Sequence, residues 1–188
     1  MTDRITALLG PVRLLAMDVD GVLTDGTLGI DDGGREQKRF HVSDGMGMTA
    51  LRLAGVTVAW LSGRKSNAVT TRAADLRIPH VLQAVNDKGA ALRQLASALG
   101  LARNAVAFIG DDWNDLLAFE AAGVCIAVCN GDDLVRDAAD IVTQRQGGQG
   151  AVRELCDAML DARGMRKEIL AQYLATLKET TVDGSVGQ

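Results

Sequence analysis

Aromatic side chains are scarce: three Phe, two Trp and one Tyr make up 3% of 188 residues. With 47% of the chain hydrophobic, a sizeable core can form, and it must be aliphatic, built from Ala, Leu, Val and Ile. Runs of cationic residues are missing as well. The net charge is −4, which argues against a role on nucleic acid or at a membrane surface. No apolar run approaches transmembrane length, and the N-terminus lacks a charged-then-apolar signal pattern. Cysteine occurs three times, as Cys125, Cys129 and Cys156. An odd number, two of them in an apolar stretch and none with a companion Cys or His pair, excludes a disulfide frame and a zinc clip. They read as reduced core thiols of a cytoplasmic protein.

What the chain does have is alternation. Short apolar runs at 12–17, 56–61, 80–84, 105–109, 124–128 and 141–143 predict strands. Between them, 44–53, 66–76, 87–99, 112–121 and 132–138 carry helical patterns, several opened by a capping Asp or Ser. Strands that are apolar throughout are covered on both faces, so the pattern predicts an α/β fold with a doubly wound, mostly parallel sheet. One piece departs from it. Residues 27–40 have two alternating arms around Asp31-Asp32-Gly33-Gly34, a β-hairpin placed to overhang the end of the first strand as a flap. A flexible turn is expected at 144–150, then helices at 151–162 and 165–178. The single domain then spans 1–178, and the polar residues 179–188 form a mobile tail.

In doubly wound sheets ligands bind beyond the carboxyl ends of the strands. The first strand ends in Asp18-Val19-Asp20-Gly21, with Thr24 shortly after. Alternation sends Asp18 and Asp20 off the same face, where two like charges ask for a cation. The second strand ends in Ser62-Gly63-Arg64, the third is followed by Asp87-Lys88, and the fourth ends in Gly110-Asp111-Asp112 with Asp115 beyond. Lys88 falls in the first turn of a helix, where the dipole disfavours a cation, so a carboxylate or bound anion must compensate it. Carboxylates suit a hard ion such as Mg²⁺. A carboxylate can also attack phosphorus, a neighbouring acid can move the proton, and a lysine and a hydroxyl can hold the phosphoryl oxygens. Each group also has a plain structural reading, as turn former, cap or solvated charge; their gathering at four strand ends favours chemistry.

Asp18-x-Asp20-Gly21-Val22-x-Thr24, Ser62, Lys88 and Gly110-Asp111-Asp112-x-x-Asp115 resemble the four motifs of the haloacid dehalogenase superfamily of phosphatases. The resemblance implies Asp18 as nucleophile and metal ligand, and Asp20 as general acid/base with its carbonyl on the metal. It also implies Ser62 and Lys88 on the phosphoryl group and Asp111 on Mg²⁺, with Asp112, Asp115 and Thr24 supporting. About 40 residues separate Asp20 from Ser62, enough for the hairpin and one helix, so there is no cap domain.

Finer features resemble the capless 3-deoxy-D-manno-octulosonate 8-phosphate phosphatases: the hairpin, Phe40-His-Val-Ser-Asp44-Gly-Met-Gly47, Ser62-Gly-Arg64-Lys65 and Gly147-Gly-Gln-Gly-Ala-Val-Arg153-Glu154. That family implies a Mg²⁺-dependent homotetramer whose subunits close the site over a small acidic sugar phosphate used for lipopolysaccharide. Arg64, at the opening of the helix after Ser62, and Arg72, two turns along the same face, are the expected carboxylate-binding cations. Asn67, Gln149 and Ser43 depart from the family's basic positions. A related subgroup acting on nine-carbon sugar acid phosphates tends to carry Glu in place of Arg64, which favours the eight-carbon substrate. Two further readings compete, a non-catalytic oligomerisation module and a phosphate-accepting receiver domain. Clustered charges benefit no structural module, and a receiver places its acceptor Asp after the third strand.

Overall fold

The computed structural model describes residues 3–183. In chain order the elements are α1 (Asp3–Leu9), β1 (Leu14–Met17), the pair β2 (Gly29–Ile30) and β3 (Glu36–Gln37), α2 (Val42–Leu53) and β4 (Thr57–Leu61). Then come α3 (Asn67–Asp75), β5 (His80–Leu82), α4 (Lys88–Ala98), β6 (Val106–Gly110), α5 (Leu116–Ala121) and β7 (Val124–Ala127). The last are α6 (Asp133–Asp137), β8 (Ile141–Val142), α7 (Ala151–Ala162) and α8 (Arg166–Asp183). Six strands form one parallel sheet in the order β5-β4-β1-β6-β7-β8, and β2 and β3 pair separately as an antiparallel hairpin.

Every residue of the central strands β1 and β6 is buried, as strands covered on both faces require. Leu15, Met17, Val58, Trp60 and Ile109 face a layer containing α1, α2, α3 and α7. Leu14, Ala16, Leu61 and Phe108 face the opposite layer of α4, α5 and α6. The core is aliphatic apart from Trp60, Phe108 and Phe119; Trp60 is fully buried, stacks on Phe40 and donates its indole N–H to Met48 Sδ at 3.3 Å. From β1 the chain winds outward through β4 and β5, then returns to place β6 on the other side of β1. The winding therefore reverses between β1 and β6, and a doubly wound sheet opens its ligand crevice at such a reversal. Only the hairpin and α2 intervene between β1 and β4, and only a 3₁₀ turn, Arg103–Ala105, between α4 and β6, which leaves no room for a cap.

Four features differ from the sequence reading. Helix α1 was not expected, although Ile5, Leu8 and Leu9 have helical spacing and pack into the core against α7. The helix expected over 112–121 is broken into a 3₁₀ turn, Trp113–Asp115, and α5, because Asp115 turns its carboxylate back onto the preceding backbone. The segment 144–150 is held rather than loose: Glu154 accepts from the N–H groups of Gln144 and Arg145, both at 2.9 Å. Helix α8 continues to Asp183, past the expected boundary at 178; the rest of the expected tail, 184–188, lies outside the described residues.

Candidate active site

The amide of Asp18, one residue past β1, donates to the Ile109 carbonyl at 3.0 Å, extending the β1–β6 ladder by one step. That step fixes Asp18 at the crevice floor, where it is 4% exposed. Lys88 comes from the other layer as the first residue of α4, whose N-cap Asp87 accepts from Ala90 N–H at 2.8 Å. Its ammonium is buried, 2.7 Å from Asp18 Oδ1 and 2.6 Å from Asp115 Oδ1. These carboxylates compensate the cation at the helix start, as its position required. Asp115 is largely committed, since its Oδ2 accepts from the Asp111 amide at 2.9 Å and from the Asp112 amide at 3.4 Å.

One carboxylate remains. Asp111 Oδ1 is buried and lacks a hydrogen-bond partner, and an oxygen of Asp111 lies within 4.8 Å of oxygens of Asp18 and Asp115. Gly21 permits this approach. It has φ +99°, and a Cβ there would stand 1.9 Å from Asp111 Oδ2. Three carboxylates thus face one ammonium. Burial, then the charge of Asp115, pushes Asp18 up to about 7 against the pull of Lys88. Burial, then Asp18 and Asp115, pushes Asp111 up to about 8. For Lys88, burial lowers the ammonium, but Asp18 and Asp115 outweigh it and hold it above its ordinary value. Excess negative charge beside an unpartnered carboxylate oxygen fits a hard divalent cation.

Asp20 does not share this cluster. Its carboxylate forms an ion pair with Lys38, just past β3, whose side chain is completely buried. Lys38 also lies 3.1 Å from Glu36 Oε1, and Glu36 Oε2 accepts from Arg64 at 2.7 Å. The hydrogen bond from Arg64, opposed by burial and aided by Lys38, holds Glu36 down at about 2. The hairpin therefore reaches Asp20 with an ammonium, which the sequence reading missed. A signal for it exists: Glu36 and Lys38 alternate onto one face of an arm that overhangs a strand ending in two acids.

The remaining predicted residues divide. Ser62 is buried directly after β4, with its Oγ accepting from the Arg64 amide at 3.1 Å. Thr24 is buried and organises the turn: its hydroxyl donates to the Val19 carbonyl at 3.3 Å and accepts from Gly21 and Gly26 amides at 3.4 and 3.3 Å. Asp112 caps the 3₁₀ turn through the Trp113 amide at 2.7 Å. Asp18, Asp20, Arg64, Asp111 and Asp112, with Asn114, line one cleft of about 250 Å³. Arg72 is the exception. It pairs with Asp75 at 2.7 Å and packs against the side of α2 that Gly45 leaves bare, so it does not reach the cleft. The expected shared face fails because α3 begins at Asn67, and Arg64 precedes the helix.

The segment 144–150 packs behind the turn that carries Asp20. The Gly148 amide donates to the Val22 carbonyl at 2.9 Å, and the Gly147 amide to Asn130 Oδ1 at 2.8 Å. Gly147 is so close to the Asp20–Thr24 turn that a Cβ would lie 1.7 Å from the Gly21 carbonyl oxygen.

A parallel sheet whose crevice holds a buried lysine among acids from β1 and β6 defines a class, and the comparisons agree: residues 65–155 match the haloacid dehalogenase-like hydrolases. The chain belongs to that family. Over 163 residues it is 40% identical to 3-deoxy-D-manno-octulosonate 8-phosphate phosphatase KdsC of Escherichia coli K12, covering 87% of each chain. The crystal structure of 3-deoxy-D-manno-octulosonate 8-phosphate phosphatase from Moraxella catarrhalis, solved with magnesium, phosphate and KDO, has a TM-score of 0.88 at 39% identity, covering 92% of this chain and 99% of that one. A subfamily III A hydrolase from Legionella pneumophila gives 0.89 at 40% identity, covering 92% and 95%.

Proposed function

We propose that this protein is a Mg²⁺-dependent phosphatase that releases phosphate from 3-deoxy-D-manno-octulosonate 8-phosphate through an aspartyl-phosphate on Asp18. The observation that carries the reading is the buried ammonium of Lys88 on Asp18 and Asp115, beside the unpartnered oxygen of Asp111. The carboxylates of Asp18 and Asp111 and the backbone carbonyl of Asp20 would hold Mg²⁺, which would neutralise charge on the transferring phosphoryl group.

Lys88 directs Asp18 and leaves its second oxygen to attack phosphorus. The new oxygen–phosphorus bond forms as the ester P–O bond breaks, and Asp20, once it has taken a proton from solvent, gives that proton to the departing sugar oxygen. Asp20, now ionised, takes a proton from water. The water oxygen bonds to phosphorus, the bond to Asp18 breaks, and inorganic phosphate leaves with the Asp18 carboxylate restored. Ser62 and Lys88 bind phosphoryl oxygens, while Asp112, Asp115 and Thr24 hold the frame. Arg64, half-exposed on the cleft rim, meets the sugar carboxylate.

Similarity to eight-carbon sugar acid phosphatases supports the substrate, and Arg64 favours it over a nine-carbon sugar acid. We place the reaction in the cytoplasm, where the three free thiols stay reduced. A single domain with an open cleft needs a lid. Leu28, Ile30 and Val42 near the hairpin, and Leu170, Leu174 and Leu177 along α8, are exposed apolar surface that a homotetramer would cover. The test is phosphate release over a panel of eight- and nine-carbon keto-deoxy sugar phosphates, hexose phosphates and nucleotides. The eight-carbon acid should lead the hexose phosphates in kcat/KM by at least about tenfold, and chelation should abolish release. Equal rates across the panel, or none, would overturn the assignment.

A further inference from the structure

Lys38 belongs to none of the roles above, yet its environment is the most demanding on the hairpin. A wholly buried ammonium is tolerated only when paired, and this one bridges Asp20 and Glu36. Glu36 in turn holds Arg64. The chain Asp20–Lys38–Glu36–Arg64 therefore runs from the crevice floor through the hairpin to the cleft rim. The Lys38 ammonium is enclosed between Asp20 and Glu36, so it acts through those neighbouring side chains.

We propose that Lys38 is a positioning residue, which aims the Asp20 carboxyl at the ester oxygen and then at the attacking water while Glu36 fixes the ammonium. The proposal rests on the reading of Asp20 as the group that moves the proton. The β2–β3 pair consists of two residues on each side, too short to stand alone, and the ion pair ties it to the crevice. The hairpin thereby becomes part of the proton-transfer apparatus as well as a flap.

The experiment separates the two half-reactions. An aryl phosphate with a good leaving group needs no proton from Asp20 in the first step, whereas hydrolysis of the aspartyl-phosphate still needs Asp20 to activate water. Lys38→Met should therefore give a burst of about one nitrophenolate per site from 2,4-dinitrophenyl phosphate, then slow turnover. On an alkyl phosphate it should show no burst and a kcat about a hundredfold lower, with KM little changed. Lys38→Arg, which keeps the charge, should recover part of kcat. Should Lys38→Met not fold, the double variant Lys38→Met/Glu36→Gln, which removes the donor to Asp20 without leaving Glu36 an uncompensated carboxylate, carries the same test. A folded neutral variant with parental kcat, or one that changes only KM or burst amplitude, would overturn the proposal. Asp20→Asn is the control: if it too turns over normally, the reading of Asp20 has failed; if it stalls while Lys38→Met does not, only the role of Lys38 has.

Discussion

Lys88 shows how much a single residue can say in sequence. A cation at the start of a helix opposes the dipole and requires a carboxylate nearby, and the structure supplies Asp18 and Asp115 within 2.7 Å. Asp18, Asp20, Ser62 and Asp111 were legible in the same way, because each ends or follows an apolar strand. Side-chain pairing across elements was less legible. Lys38 on Asp20 and Glu36 on Arg64 depend on how the hairpin folds over, and Arg72 pairs with Asp75 one turn along α3, a helix that starts only after Arg64. In the proposed mechanism Asp18→Asn should lower kcat at least about a thousandfold. It also removes one of three crowded carboxylates, so in EDTA at pH 8 the variant should melt no lower than the parent. A lower melting temperature by calorimetry would show that Asp18 has a stabilising role instead. Replacing Arg64 by Ala should damage hydrolysis of the sugar-acid phosphate far more than that of p-nitrophenyl phosphate. Equal losses in kcat/KM would remove the carboxylate clamp.

At the scale of elements, strand and helix positions followed from apolar runs and caps, with most edges shifted by one or two residues, while α1 was missed and α8 runs on to Asp183. Where the helix at 112–121 and the turn at 144–150 were misread, a side chain had bound backbone locally. Asp115 breaks the expected helix by accepting from two preceding amides, and Glu154 pins the segment expected to be a flexible turn. Glycine-rich composition at 144–150 reflects close packing instead, since Gly147 abuts the Gly21 carbonyl. Gly147→Ala should therefore destabilise the protein by about 2 kcal/mol. It should also depress turnover, by displacing the turn that carries Asp20. Denaturant unfolding alongside steady-state kinetics checks both effects, and an unchanged midpoint would show that the segment yields without cost.

On the scale of the whole molecule, the fold turns dispersed residues into one charged crevice at the reversal between β1 and β6. That concentration makes the protein's stability depend on pH and cation together. Asp18 and Asp111 titrate near 7 and 8 when folded, against an ordinary value of 3.8. A raised carboxyl favours the folded state fully below its unfolded value, and that contribution fades as pH rises through the folded one. Melting in EDTA should therefore decline between about pH 4 and pH 8 on account of this pair. Mg²⁺ should restore more stability at pH 8 than at pH 5, because at the lower pH it must displace protons. A Mg²⁺ effect independent of pH would place the ion elsewhere.

The central claim is that Asp18 carries the phosphoryl group during turnover, and chemical trapping tests it without inference from rates. Protein quenched during turnover of the sugar phosphate with Mg²⁺, then reduced with borohydride, converts an aspartyl-phosphate to homoserine, which peptide mass spectrometry locates. Homoserine at position 18, and at no other acid, is the expected result. Homoserine at Asp111 or Asp20, or unmodified Asp18 in a sample that is releasing phosphate, would contradict it.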